Sequence, residues 1–500
     1  MPSSLLTRTP AIRSTARGPS RTAISTSTTV ASPSALVMAI ILTSQLMIVL
    51  DASVVITALP KIRDAFGFSP TSLSWVQNAY TLAFGGLLLF GARVGDILGR
   101  RRVYMGGIAV FTLASLLGGL APSGSLLLAA RAVQGVAAAV AAPSTLALLM
   151  MSFREPRERM RAVSLYAAAS GAGGSVGLVV GGLLTDIASW RWGLFVNVPI
   201  GIALVLLAPR YLPETERNPG RFDTTGALTS TAGMTALVYG FVRAGSSGWG
   251  DRDTVASFAA AVALLGAFFL VERRAAQPIM PLRLFASLER SGAYAARLLT
   301  VGGMFAFFFF QTQFLQEVRD YSALKAGFAF LPMTVMMFST TRIVPRLAPK
   351  LGDTRLLISG LAIALAAMVW ASRISAGTQY FPQIAIPMVM LGLGMGIAFI
   401  PLTSAGISGV APEDSGAASG LVNVFHQVGG SLGLAVLITV FGTASRNATR
   451  HPLPGVSARD QAKDQFAHAI ATSLTGSAVF LTLALAVVIG TAIARHRRAA

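Results

Sequence analysis

The sequence predicts an all-α polytopic membrane protein, and its composition, its apolar runs and one charged link support this prediction. Of the 500 residues, 53% are apolar and 12% are charged, whereas a soluble domain carries about 25% charged residues. So few charges cannot cover a water-exposed surface, which indicates that much of the surface faces lipid. Residues 91–103 form a strongly charged link between two apolar runs. Such a link marks a membrane edge, because charges are costly in hydrocarbon.

The formal net charge of +20 raises nucleic-acid binding as an alternative. The arginines recur in small clusters between apolar runs, which favours loops at a membrane face, and we expect no nucleic-acid partner. Residues 1–35 and 496–500 are predicted to be cytoplasmic tails; the first is expected to be disordered, with a transit peptide as the alternative. The chain has no cysteine, which excludes disulfides, thiolate catalysis and cysteine metal sites.

Fourteen apolar runs of roughly 20 residues are each long enough to cross the ~30 Å hydrocarbon core of a membrane. The predicted spans are 36–58, 74–95, 103–121, 126–151, 162–185, 193–209, 225–243, 255–272, 292–316, 326–345, 356–373, 382–404, 417–443 and 471–494. The tenth span is expected to be the weakest, because Thr340, Thr341 and Arg342 cut it short.

The distribution of positive charge predicts the orientation. An even number of spans places both termini on one side of the membrane, and the tails and loops on that side carry roughly twice as many lysines and arginines as the opposite loops. Because positively charged loops stay in the cytoplasm, we expect both termini there. The prediction is a multi-pass protein of the plasma (inner) membrane.

An internal repeat divides the chain. Residues 173–178 return as residues 429–434, Pro143 matches Pro401, and Leu98 and Gly99 match Leu351 and Gly352, all at nearly one offset. The offset spans eight predicted helices, so we expect two six-helix bundles, residues 36–209 and 291–495, with spans 7 and 8 inserted between them in residues 210–290. An even offset implies a parallel repeat about an axis along the membrane normal.

Several short segments match the signatures of one known family. The charged link resembles Gly-x-Leu-Ala-Asp-x-x-Gly-Arg-(Arg/Lys)-Arg through Asp96, Gly99 and residues 100–102, with Ala92 in place of the first glycine. The other matching segments are residues 50–60, 131–135, 189–192, 197–201 and 278–285. On these residues the chain resembles the major facilitator superfamily and, within it, the fourteen-helix drug:proton antiporter branch.

The resemblance implies a major facilitator fold and proton-coupled efflux of hydrophobic or cationic small molecules, such as drugs, antiseptics and dyes, by alternating access. The proton gradient would supply the energy without a cofactor, and the expected partners are substrates, protons and the lipid bilayer, with a monomeric chain. One alternative is a dedicated exporter of an endogenous metabolite, such as an antibiotic or a siderophore. A remote alternative is a membrane-embedded enzyme. No two of the four histidines have metal-ligand spacing and the chain lacks a phosphate-binding loop, so we expect neither catalytic residues, nor a metal, nor ATP drive.

Asp51 in the first span and Arg131 in the fourth are the expected proton-coupling residues. An acid inside a span costs ~3 kcal/mol on insertion scales, so it normally faces a cavity or a partner, and it can exchange a proton. At 1.5 Å per residue the two lie about 10 Å and 8 Å below one membrane edge, which makes contact feasible. A structural ion pair and a snorkelling arginine are the alternatives. Asp51 is the one acid placed well inside a span, so we expect it to serve both the proton and a cationic substrate.

The charged link is expected to act as a conformational latch. Its candidate residues are Asp96, Gly99, Arg100, Arg101 and Arg102. The resemblance implies that this link holds the cytoplasmic side closed when the transporter opens outward; the arginines also satisfy the orientation signal alone. Asp96 is expected to accept hydrogen bonds from an arginine or from a helix N-terminus. The repeat lacks an acid at the equivalent place, so the latch is expected to be asymmetric.

A glycine stripe in the fifth span resembles the antiporter signature of the family. Its members are Gly173, Gly177, Gly181 and Gly182, and small residues at this spacing allow close helix packing. Leu178 stands where the signature has proline, which weakens the expected kink. Ile56 likewise replaces the expected asparagine of the first span.

Polar and aromatic residues inside the spans are candidates for the substrate cavity. They are Trp75, Tyr80, Gln134, Phe307, Gln311, Asn423, His426 and Gln427. His426 is the one histidine predicted within a span and has a side chain that can titrate, although a packed, hydrogen-bonded histidine is the alternative. Gln134 lies one turn from Arg131 and is expected either to extend its polar network or to line the cavity.

Overall fold

The computed structural model describes residues 33–153, 155–215, 223–275, 278–411, 414–449 and 457–499. Residues 1–32 of the predicted N-terminal tail lie outside the described residues. Within the described ranges, fourteen main helices follow the predicted spans. They are α1 (Pro33–Phe66), α2 (Trp75–Leu98), α3 (Arg100–Gly119), α4 (Gly124–Ser152), α5 (Pro156–Ile187), α6 (Asn197–Tyr211), α7 (Thr224–Ser247), α8 (Arg252–Arg274), α9 (Leu288–Gln313), α10 (Leu331–Leu351), α11 (Asp353–Ala371), α12 (Ala385–Gly406), α13 (Ser415–Thr449) and α14 (Ala458–Ala499). Short helices at Trp192–Phe195 and Ala323–Ala329 precede α6 and α10, and a π-helical turn, Phe314–Val318, extends α9.

Thirteen helical segments of the described chain are long and apolar enough to cross a membrane, judged by length and composition. Of the fourteen main helices described, α7 is the one that does not meet this criterion, whereas the helix of the tenth span does. The expectation that the tenth span would be the weakest is therefore wrong. Hydroxyl side chains explain the low hydropathy of α7, and several bond back to its own carbonyl groups: Thr229 donates to Thr225 and Thr235 to Thr231, both at 2.7 Å. The helix packs against α2, α8 and α13, so neighbouring helices cover part of its surface.

Large apolar side chains cover the outside of the helical assembly. Examples are Leu113 on α3, Leu206 on α6, Val262 on α8 and Val479 on α14, which are 57%, 71%, 74% and 52% exposed. An apolar exterior around buried polar side chains is the arrangement that a lipid environment favours.

The helices form two six-helix bundles, α1–α6 and α9–α14, with α7 and α8 as an inserted pair. The sequence repeat is visible in the backbone. Gly99 separates α2 from α3 with φ +101°, and Gly352 separates α10 from α11 with φ +79°. A side chain at either position would be strained in this left-handed region, so the repeated glycine ends the second helix of each bundle.

The repeated glycines of α5 and α13 also occupy equivalent places. A Cβ atom at Gly177 would lie 3.0 Å from the carbonyl oxygen of Leu50 on α1, and one at its repeat counterpart Gly433 would lie 2.8 Å from the carbonyl carbon of Gly302 on α9. In each bundle the glycine stripe therefore lets the fifth helix approach the first at backbone distance.

The inserted helix α7 touches both bundles but is held differently by each. On α13, Thr439 donates a 2.5 Å hydrogen bond to the carbonyl of Phe241, and Arg446 donates to the carbonyl of Gly245. On α2, the Thr231 side chain approaches Gly86, and the Tyr239 ring packs on Trp75. The second bundle thus holds the α7 backbone by hydrogen bonds, and the first bundle contacts α7 through side chains.

Candidate transport site

A fully buried ion pair joins α1 and α4. Arg131 Nη1 lies 2.5 Å from Asp51 Oδ2, and neither side chain is exposed. The contact expected from their similar depth is therefore present. Arg131 does not snorkel: its Nε donates to the carbonyl of Val76 at 3.2 Å, and its guanidinium lies 4.5 Å from the ring centroid of Tyr80.

Three further polar side chains complete the network around Asp51. Gln134 Nε2 and Asn197 Nδ2 donate to Asp51 Oδ1 at 2.9 Å and 2.7 Å. Gln134 also accepts from Arg131 Nη1 at 2.9 Å and donates to the Ser115 hydroxyl at 2.7 Å. A buried ion pair offsets its desolvation cost when additional hydrogen bonds satisfy the remaining lone pairs, and here two amides do so for the carboxylate.

A large cavity of about 2120 Å³ lies between the two bundles. It extends to the side of the fold that carries the α2–α3 link, which we call the link side; the opposite side is the far side. On the link side its lining includes Asp96, Arg283 and Asp414. Arg283 donates two hydrogen bonds to the Asp414 carboxylate, of 2.7 Å and 2.6 Å. These bonds hold the pKa of the Asp414 carboxyl below its usual range. Pockets for drug-sized ligands typically measure about 300–1,000 Å³, so this cavity has room for a large cargo and water.

Four of the predicted cavity residues line this cavity, namely Tyr80, Asn423, His426 and Gln427. The other four do not. Trp75 packs on Tyr239 of α7 with ring centroids 6.1 Å apart, and Gln134 belongs to the Asp51 network. Phe307 and Gln311 are one helical turn apart and share a face of α9 that is buried in the second bundle, both being 1% exposed. Phe305 and Phe308, on another face, line the cavity instead.

The ion pair is not part of the cavity wall. Tyr80 lines the cavity and lies against Arg131, whereas neither Asp51 nor Arg131 is among the lining residues. The expectation that Asp51 also contacts a cationic substrate is therefore wrong for this conformation, because the Tyr80 ring stands between the carboxylate network and the cavity.

The two bundles contact each other on the far side. The carboxylate of Asp186, near the end of α5, accepts from the backbone N–H groups of Ala323 and Leu324 at 3.1 Å and 2.9 Å. Such a carboxylate at a helix N-terminus satisfies two otherwise unpaired donors. Arg63 at the end of α1 pairs with Glu317 at 2.8 Å.

Glycines bring these far-side backbones together. A Cβ atom at Gly182 would lie 2.5 Å from the carbonyl oxygen of Ala323, and one at Gly327 would lie 2.5 Å from that of Leu178. Of the predicted stripe, Gly173, Gly177 and Gly181 thus face α1, while Gly182 faces the second bundle. Leu178 continues α5 without a break, as expected from the missing proline.

Gly327→Leu is expected to favour separation of the bundles on the far side. Overpacking at such a contact costs about 1–3 kcal/mol, which corresponds to a change of about 5–150-fold in the balance of two conformations. Because the chain has no cysteine, Ala323→Cys gives a unique reporter, and its labelling by a membrane-impermeant maleimide measures the change. Gly377→Leu is the matched control, since a Cβ there meets nothing within 4 Å. Equal labelling of both variants would show that the Gly327 contact does not hold the bundles together on the far side.

The charged link is organised by an acid that the sequence motifs did not single out. Glu214, beyond α6, accepts from the backbone N–H of Arg101 at 3.1 Å and pairs with the Arg101 and Arg102 side chains at 3.6 Å and 3.7 Å. Thr215 caps the N–H of Arg100 at 2.9 Å. Positive charge is unfavourable at a helix N-terminus, and Glu214 offsets it. Asp96 accepts from Arg100 at 2.5 Å within the same link.

The sequence motifs also did not identify Ser115 and Asn197 as members of the ion-pair network. Asn197 follows the segment at 189–192 and lies among apolar residues, and a polar side chain in such a run is a signal that it has a buried partner. Ser115 gave no comparable signal, because hydroxyl groups can bond back to their own helix, as this one does to Phe111 at 2.8 Å.

Two helical bundles with an apolar exterior and a cavity that reaches one side define a multi-pass membrane transporter, and comparison with known proteins agrees. Residues 41–434 match the profile of the Major Facilitator Superfamily. A cephamycin export protein of Amycolatopsis lactamdurans is 43% identical over 86% of this chain and 89% of its own length. A puromycin resistance protein of Streptomyces alboniger is 43% identical over 81% of both chains. The chain therefore belongs to the Major Facilitator Superfamily and transports small molecules.

Solved structures that resemble this fold include transporters. An inward-facing, unoccupied bacterial homologue of the human lysosomal transporter Spinster superposes with a TM-score of 0.65 over 92% of this chain and 97% of its own, at 16% identity. At this level of identity the similarity supports the fold alone.

Proposed function

We propose that the protein exports hydrophobic small molecules, cationic ones among them, from the cytoplasm across the plasma membrane by exchange for protons. The observation that carries the proposal is the buried Asp51–Arg131 pair beside a cavity of about 2120 Å³. An ionisable pair inside a membrane protein is by default functional. The relatives named for cephamycin export and puromycin resistance support the direction of transport.

Transport is coupled to protons because a proton and the Arg131 guanidinium compete for the Asp51 carboxylate. A proton that binds Asp51 removes the negative charge that balances Arg131, so the two side chains no longer attract each other as ions. The first bundle would then repack around Arg131 and favour the alternative arrangement of the bundles. The proton gradient supplies the energy, and no cofactor is required.

The conformation described is then inward-facing. With both termini in the cytoplasm, the link side is cytoplasmic and the far side is external. The cavity would load cargo on the link side, while Asp186 and Gly182 hold the external side closed. The latch role proposed for Asp96 and Arg100 belongs to the outward-facing state; here these residues pair with each other at 2.5 Å.

A dedicated exporter of one endogenous antibiotic is the second candidate, and the relatives favour it equally: one is named for cephamycin and another for tetracenomycin C resistance and export. Exchange for a proton at Asp51 would drive export by either kind of transporter. A narrow substrate range would distinguish the dedicated exporter from a multidrug exporter.

Proton-driven efflux tests the proposal directly. Purified protein in proteoliposomes loaded with ethidium or puromycin is expected to release them faster when the outside is made acidic. A protonophore that collapses the gradient should remove the acceleration, and protein-free vesicles provide the control for leakage. Release that does not respond to the gradient or to the protonophore would refute proton antiport.

A further inference from the structure

The second bundle contains a buried cation with a different environment from Arg131. Arg297 lies nine residues after the start of α9, about 14 Å along the helix, and is 8% exposed. Among the described residues its partners are the Thr403 hydroxyl, 2.9 Å from Nη1, and the ring of Phe399, whose centroid is 5.4 Å from the guanidinium carbon. No acid in the described part of the chain forms an ion pair with it, and its Nε has no acceptor there.

A buried arginine without an acidic partner costs free energy of desolvation. Arginine stays protonated in proteins, and a charge within a span is normally paired or lies in a water-filled cavity. Arg297 lines the central cavity. The lining acids, Asp96, Asp223 and Asp414, all lie near helix ends on the link side, so none of them balances the charge at the depth of Arg297.

A second side chain with a buried polar atom that lacks a hydrogen-bond partner among the described residues lies beside Arg297. The His426 ring packs against Phe399 and Phe305, with centroids 6.2 Å and 5.9 Å apart. Its Nδ1 is buried without a hydrogen-bond partner among the described residues, and His426 also lines the cavity. Phe399 therefore touches both Arg297 and His426, so two polar side chains with unused hydrogen-bonding capacity flank one aromatic ring.

We propose that Arg297 and His426 form a subsite for an anionic group of the cargo, such as a carboxylate, whose apolar body lies on Phe305, Phe308 and Phe399. A planar guanidinium binds carboxylates with directed, charge-assisted hydrogen bonds. Thr403 accepts from Arg297 and donates to the carbonyl of Phe399 at 2.7 Å, so it positions the guanidinium rather than binding cargo. This inference rests on the proposed export function and names amphipathic anions as a cargo class.

The test compares two probes of the same shape. Pyrenebutyrate and its uncharged methyl ester are titrated into the full-length protein in phosphatidylcholine nanodiscs, and binding is read from tryptophan-to-pyrene energy transfer, with empty nanodiscs as the partition control. A charge-assisted contact is expected to make the carboxylate bind about 10–100-fold more tightly than the ester. Equal affinities in the wild-type protein would overturn the proposal.

Variants assign the preference to Arg297. Arg297→Gln is expected to bind both probes with the affinity of the ester, whereas Arg342→Gln, which removes another cavity-lining arginine, should keep the preference. A preference that survives Arg297→Gln would overturn the proposal. If that variant does not fold, Arg297→Lys decides, because loss of the planar fork should reduce the preference and an unchanged preference would exclude the guanidinium as its source.

A lipid phosphate presents the same chemistry, so a further arm separates it from cargo. Phosphatidylglycerol in the nanodiscs should leave pyrenebutyrate affinity unchanged if the subsite takes cargo, and competition that removes the preference would assign the subsite to lipid instead. Failure of the proposed export function can be distinguished from failure of the subsite. In the first case ethidium release would not respond to the proton gradient, while the preference for pyrenebutyrate over its ester would persist.

Discussion

Replacing Asp51 with asparagine is expected to remove the acceleration of cargo release by an acidic exterior and to leave cargo exchange intact. Asparagine cannot take up the proton, whereas the cavity itself keeps its shape because Asp51 is not among its lining residues. Release from proteoliposomes with and without a pH gradient, together with exchange of labelled for unlabelled cargo at equal pH, measures the two activities separately.

Asp64→Asn is the matched control, because it makes the same substitution on the same helix at a side chain that is 59% exposed. A surface pair of this kind contributes little, so gradient-driven release should be unchanged. Normal gradient-driven release by the Asp51→Asn protein would refute the coupling role.

Replacing Arg131 with methionine is expected to lower the free energy of unfolding by about 3–5 kcal/mol, because it leaves the Asp51 carboxylate buried without its cation. Adding Asp51→Asn should recover part of that loss, since the uncompensated charge is then absent. Unfolding in mixed micelles of rising denaturing-detergent content measures both variants.

Arg252→Met serves as the control for the loss of an arginine. Arg252 begins α8 and is exposed, so its replacement should change the unfolding free energy by no more than about 0.5 kcal/mol. A double variant no more stable than Arg131→Met alone would show that the ion pair is not the source of the effect.

The positions of the helices and one of the key contacts could be predicted from the sequence, because both depend on one-dimensional information. Hydropathy located the helices, and counting residues from the membrane edge placed Asp51 and Arg131 at similar depth, where they meet at 2.5 Å. The repeat placed Gly99 and Gly352 in equivalent turns, which the backbone angles confirm.

Rotation about the helix axes could not be predicted in the same way. Phe307 and Gln311 face the core of the second bundle and Phe305 faces the cavity, because inter-helix packing decides which face of an apolar helix turns inward. The roles of Asn197 and Glu214 depend on which helix ends meet, and this information lies in the three-dimensional packing of the first bundle.

The uneven attachment of α7 has a mechanical consequence. Its backbone is hydrogen-bonded to α13 through Thr439 and Arg446, whereas α2 meets it through the side chains of Thr231 and Tyr239. When the bundles rock, the contact between α7 and α2 is expected to change while the contact between α7 and α13 is kept. The inserted pair would therefore move with the second bundle as one rigid body. The moving halves would then be unequal, six helices against eight, and the sliding surface between them would run along α2.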